Sequence, residues 1–153
     1  MKTKHVILML CLMCTKAGFA QDKRFEKYAD MDHVTSIYIS GAMFQMMPDI
    51  KDMGVSLARL KEKMESFYLI SSNRAEPISL MRKDFSQMLQ SGHVELMRIR
   101  NGKTRVTFYS GTKGNRIREL LMLADADSSF TVIQLTGDFT LNDIRELTNK
   151  MEP

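Results

Sequence analysis

The chain has no tryptophan, and only three prolines, three histidines and two cysteines. Both cysteines, Cys11 and Cys14, lie in the first twenty residues. Loss of that segment would leave a chain with no disulfide, no thiolate ligand and no cysteine nucleophile. Their C-x-x-C spacing sits within an apolar run and reads as filler, not as a redox or zinc motif. Of the histidines outside that segment, His33 and His93 each precede an expected strand and read as boundary or surface residues. No H-x-x-x-H or comparable zinc spacing is present. The glycines form neither a P-loop nor a dinucleotide-binding pattern, and no G-x-S-x-G elbow or S-x-x-K with partner motifs marks a serine nucleophile. After residue 30 no apolar run approaches the ~20 residues needed to cross a bilayer.

What is present begins at the N-terminus. Lys2 and Lys4 precede the apolar run Val6–Cys14, and the small-residue stretch Ala17-Gly18-Phe19-Ala20 follows. This is the order of a secretory signal peptide, so residues 1–20 are expected to be removed and 21–153 to form a single domain. The expected location is periplasmic or secreted. A lipid-anchored form is a minor alternative, because Leu10 and Met13 stand before the cysteines where lipidation favours a small residue. Losing Lys2, Lys4 and Lys16 lowers the formal charge of +4 by three. Basicity therefore gives no case for nucleic acid, and few aromatics interleave the charges to stack on bases.

The remainder alternates between strand and helix signals. Phe25 and Tyr28 could anchor a short helix. Val34–Ser40 is rich in β-branched residues and reads as a strand. A short helix is expected over Ala42–Met47, ending near Pro48, and another from about Ser56 with Leu57, Leu60 and Met64 on one side. Phe67–Ile70 reads as a strand. Met81, Phe85, Met88 and Leu89 fall at helical spacing between Pro77 and Gln90, with Gly92 as a stop. Strands follow from Val94, over Arg116–Ala124 and over Phe130–Thr136. Thr140 and Asp143 have the spacing of a loose capping box ahead of the stripe Leu141, Ile144, Leu147, Met151. The order β-α-α-β-α-β-β-β-β-α implies an α+β fold: one two-layer domain, mainly antiparallel sheet, with helices on one face.

Asn101-Gly102 predicts a type I′ hairpin. That turn would set Arg100 opposite Lys103 and Arg98 opposite Arg105. Arg98, Arg100, Lys103 and Arg105 would share one face, and Met97, Ile99, Val106 and Phe108 would face the core. Like-charge pairs across a ladder cost up to ~1 kcal/mol each. The ordinary reading is a solvated face; the functional one is a docking surface for an acidic partner, which Arg116 and Arg118 could extend.

Other candidates are weaker. Asp125–Ser129 resembles the start of a calcium loop, but position six is Phe130 and position twelve Thr136, so a turn is the better reading. Met43, Met46 and Met47 could hold Cu(I), though packing is the favoured reading of this methionine-rich chain. No carboxylate pair stands out for hydrolysis.

Three stretches carry a resemblance: Ala42–Pro48, Glu119–Asp125 and Phe130–Phe139. Through them, over nearly all of residues 25–150, the chain resembles a domain-of-unknown-function family of small secreted proteins from Bacteroidota-type bacteria. The resemblance implies an envelope location in a Gram-negative cell and a link to envelope signalling. It implies no activity, cofactor or catalytic residue. The expected role is therefore an exported binding protein for an acidic protein or envelope component, with no cofactor, no metal and no nucleic acid. A hydrolase of unrecognised type and a methionine-based Cu(I) carrier are the alternatives.

Overall fold

The computed structural model describes residues 22–47 and 57–148; the leader, Pro48, Ser56 and Met151 lie outside them. Strands β1 (Val34–Ser40), β2 (Met64–Ser72), β3 (His93–Asn101), β4 (Thr104–Lys113), β5 (Arg116–Ala126) and β6 (Ser129–Phe139) form one antiparallel sheet in the order β1-β2-β6-β5-β4-β3. The last four strands are the expected meander. Sequence adjacency did not reveal that β6 pairs with β2, closing the meander onto the first hairpin-like pair. The helices are α1 (Lys23–Ala29), α2 (Gly41–Met46), α3 (Leu57–Lys63), α4 (Ala75–Leu89) and α5 (Leu141–Thr148). The fold is a single α+β domain, as the element order implied. None of the described helices is long and apolar enough to cross a membrane.

α1 and α4 build the core against one sheet face. Phe25 and Tyr28, one turn apart, are both buried. Met81 and Phe85 meet them from α4, while Tyr68, Ile70, Val132 and Leu121 rise from the central strands. Phe25 lies 5.1 Å from Tyr68 and 5.4 Å from Phe85, the latter edge-on, so three elements converge on one ring. Full burial of such a ring is worth about 1.5–3 kcal/mol. A smaller cluster, Leu60, Ile117 and Phe139, joins α3 to the far end of β5 and β6, with Ile144 of α5 packed on it. At that end the capping box forms: the Thr140 N–H donates to Asp143 Oδ2 at 2.7 Å, and the Asp143 N–H donates to Thr140 Oγ1 at 3.3 Å.

The hairpin differs from its sequence reading. Asn101 pairs with Thr104, so the two loop residues are Gly102 and Lys103. Gly102 has φ +59° and Lys103 lacks a positive φ, the pattern of a type II′ turn with glycine first. The register moves by two residues, placing Arg100 opposite Arg105 and Arg98 opposite Thr107. Arg98, Arg100 and Arg105 still share a face because strand alternation has period two. Lys103 leaves that face for the turn. The core assignment is reversed: α1 and α4 pack on the arginine side, where Thr107 is buried, whereas Met97, Ile99, Val106 and Phe108 lie on the opposite face, and none of them is buried.

Candidate functional site

Cross-strand rows on the helix-covered face place its polar groups at the two ends of the strands. At one end, His93, Gly111 and Glu119 stand side by side on β3, β4 and β5. His93 reaches this face because β3 is bulged between Glu95 and Met97. In an unbroken strand it would share a side with Met97 and Ile99. Gly111 has no side chain to separate its neighbours, so His93 Nε2 and Glu119 Oε2 meet over it at 2.8 Å.

The N-terminus of α1 closes over this pair. Asp22 caps the helix, accepting the Arg24 N–H at 3.1 Å, and its carboxylate also forms an ion pair with the Arg24 guanidinium. Arg24 reaches on to Glu119 Oε1 at 3.0 Å. Gln134, fully buried on β6, donates to Asp22 at 2.8 Å and to Glu119 at 2.5 Å. Burial acts to raise the Asp22 pKa, but hydrogen bonds from Arg24 and Gln134 outweigh it and hold the carboxyl below its ordinary range. Sequence reading made His93 a boundary or surface residue; instead its side chain is only 8% exposed and belongs to this network. Apart from Asp22 and Arg24, the partners lie 15 to 112 residues apart, which left no local signal for the network.

The network resembles an acid–base pair, with a carboxylate orienting an imidazole. However, the other nitrogen, His93 Nδ1, is buried without a partner, as is Gln134 Oε1. In this arrangement Nε2 is engaged by Glu119 and Nδ1 is buried within the fold. What the arrangement does is bind α1 to the sheet. No three His, Cys, Asp or Glu side chains among the described residues gather to hold a metal.

At the other end of the same face, the row Asp125, Arg105, Arg100 crosses β5, β4 and β3. Its charges are unevenly compensated. Arg98 pairs with Glu95 at 2.5 Å and Lys103 with Asp127 at 2.7 Å. Asp125 is taken by Arg82 of α4 at 2.5 Å. Among the described residues Arg100 and Arg105 pair with no carboxylate, although both are exposed and directly opposed; Arg100 Nε reaches only the Gly102 carbonyl at 3.5 Å. Three of the four basic residues singled out in the sequence thus share this face, Lys103 sits in the adjoining turn, and only Arg100 and Arg105 lack a carboxylate partner among the described residues. Arg116 and Arg118 do not extend the patch: they sit at the far end of β5, paired with Asp138 and Glu65 at 2.7 Å each.

The remaining candidates resolve simply. Asp127 and Ser128 form the β5–β6 turn between paired Ala126 and Ser129. His33, exposed at φ +63°, is a turn residue whose carbonyl accepts the Ser72 hydroxyl at 2.7 Å. The packing expected of the methionine cluster is not found for Met43 and Met46, which are 47% and 74% exposed.

A family model for a domain of unknown function, DUF4252, matches residues 28–147. The chain belongs to that family. No curated protein and no solved structure matches it.

Proposed function

We propose that this DUF4252 protein is an exported interaction module that captures an acidic partner in the cell envelope through Arg100 and Arg105. The observation that carries this reading is their opposition across β3 and β4 with no ion pair to a carboxylate among the described residues, Asp125 opposite Arg105 being taken by Arg82. Two adjacent guanidinium groups held on neighbouring strands repel each other, and a bound carboxylate or phosphate would relieve that repulsion while accepting bidentate hydrogen bonds. Neighbouring Arg98 and Lys103 already have acids, so the unspent charge is concentrated at one spot on the hairpin. The leader-like N-terminus supports export.

The test is a pull-down from Gram-negative envelope extract with the native protein and with Arg100→Ser/Arg105→Ser. Capture that is salt-sensitive and lost in the double variant supports the reading. Equal capture by both overturns it. Export is tested separately by the mass of protein recovered from the periplasm, which should start at Gln21.

A further inference from the structure

Met43, Met46 and Met47, singled out in the sequence, play no part in the hairpin. They sit on α2 and its C-cap, which follow β1 at the sheet edge opposite β3 and its arginines. α2 is pinned on its inner side. Ser40 caps it, its Oγ accepting the Met43 N–H at 3.3 Å, and Phe44 packs edge-on against Phe67 of β2 with 6.1 Å between ring centres. At about 100° per residue, Met47, Met43 and Met46 lie about 60°, 100° and 160° round the helix from Phe44. Their exposure follows that order: Met47 is half-buried, Met43 is 47% exposed and Met46 is 74% exposed. The methionines point outward because Phe44 points in. Core packing therefore does not account for two thioethers held in water one turn apart.

We propose that Met43 and Met46, with Met47 beside them, form a thioether site for the soft monovalent cation Cu(I). Residues three and four apart on a helix have Cβ atoms ~5–6 Å apart, and the three rotatable bonds of methionine let neighbouring sulfurs reach one ion from there. Thioether sulfur is a soft, neutral donor that selects Cu(I), whereas Ca²⁺ and Mg²⁺ take oxygen ligands. The flanking sequence suits that choice. From Val34 to Met47 the chain has no carboxylate, imidazole or thiol to draw a different ion, and no cationic side chain to repel one. The Met47 carbonyl accepts the Lys61 ammonium, so that oxygen is not a further ligand. The ion enters and leaves as Cu(I), with no change of oxidation state.

Titration of the full chain with Cu(I) under argon, in competition with a chromogenic chelator, tests this. Every protein used carries Cys11→Ser and Cys14→Ser, since thiolates at those positions would take the metal first. This parent should bind Cu(I) with a dissociation constant below micromolar. Met43→Leu/Met46→Leu keeps the apolar bulk and removes both sulfurs. At exposed positions it should leave the far-UV circular dichroism unchanged and weaken binding by about tenfold or more. With methyl-labelled methionine, Ag(I), an air-stable ion of the same charge and softness, should shift the Met43 and Met46 methyl signals and leave that of fully buried Met81 in place. Thioethers have no proton to lose, so Cu(I) affinity should be equal at about pH 5 and about pH 8. Binding no tighter than micromolar would overturn the proposal. So would equal affinity in the parent and double-leucine proteins, or a loss of affinity at the lower pH, which would assign the metal to an imidazole.

Discussion

His93 and Glu119 touch across a whole intervening strand. Their nitrogen and oxygen lie 2.8 Å apart although β4 runs between β3 and β5. The contact exists because β4 carries Gly111 at that row. A Cβ there would lie 3.1 Å from Glu119 Oε2 and 3.3 Å from His93 Nε2. Gly111→Ala should therefore shift the pair by a few tenths of an ångström, and Gly111→Val should drive it apart. The valine variant is expected to lose about 1–3 kcal/mol in denaturant unfolding, with the alanine variant between it and native. A valine variant as stable as the native protein would show that the pair contributes nothing.

Gln134 bridges Asp22 and Glu119 from a fully buried position. Gln134→Leu keeps the volume and removes the donor. Two carboxylates would then face each other's charge with Arg24 as the remaining donor between them. The expected cost is about 1–3 kcal/mol. Hydrogen exchange at α1 amides should accelerate more than at α4, since the network ties down α1 alone.

Asp143 has a pH signature. Burial acts to raise its pKa, but hydrogen bonds from Lys63 and from the Thr140 N–H and hydroxyl prevail and hold it at about 2, below the ordinary 3.8. Because the folded value is depressed, its contribution to stability is present above the ordinary pKa and is lost as pH falls from about 4 to about 2. Asp143→Asn should flatten the stability–pH curve in that window. Thr140→Ala, which removes the other half of the box, should cost about 1 kcal/mol at neutral pH.

Tyr28 reports at the opposite end of the scale. Its hydroxyl is buried and donates to Asp84 at 2.6 Å, where Lys27 also binds. Burial first, and the Asp84 hydrogen bond and charge next, push the phenol pKa well above its ordinary value. The folded state thus favours the neutral phenol, so stability is present below about pH 10 and falls as pH rises beyond it. Tyr28→Phe should weaken that alkaline loss and cost about 1 kcal/mol at neutral pH, measured by thermal unfolding in both ranges.

Arg105→Gln should remove the like-charge pair with Arg100 without placing a second acid opposite Asp125. A gain of up to about 1 kcal/mol is expected at low salt, shrinking as salt is added. A loss of stability would mean that an acid, such as Asp125 in the same row, already balances Arg105.

Several elements were legible in the amino-acid order because their signals are local. β1 over Val34–Ser40 follows from β-branching. Met81 and Phe85 are buried as their spacing required, and Thr140 caps α5 with Asp143 as partner. The shared side of Arg98, Arg100 and Arg105 survived a two-residue register error because alternation is unchanged by an even shift. Which side the helices would choose was not legible. The hairpin offers an apolar face and a basic one, and local pattern favours burying the former. α1 and α4 instead cover the side where Tyr68, Ile70, Val132 and Leu121 outweigh the hairpin's three arginines. The arginines lie beyond the dry core, where their charges meet water.

By itself, then, the order of residues determined the kinds of elements, the helix caps and the parity of each strand, since each depends on neighbours within about four positions. Tertiary structure alone decided the pairing of β2 with β6, the bulge that turns His93 toward Glu119, and the face that α1 and α4 cover. These depend on contacts between distant segments, and their free energies are set by burial across the whole sheet, which no short window of sequence contains.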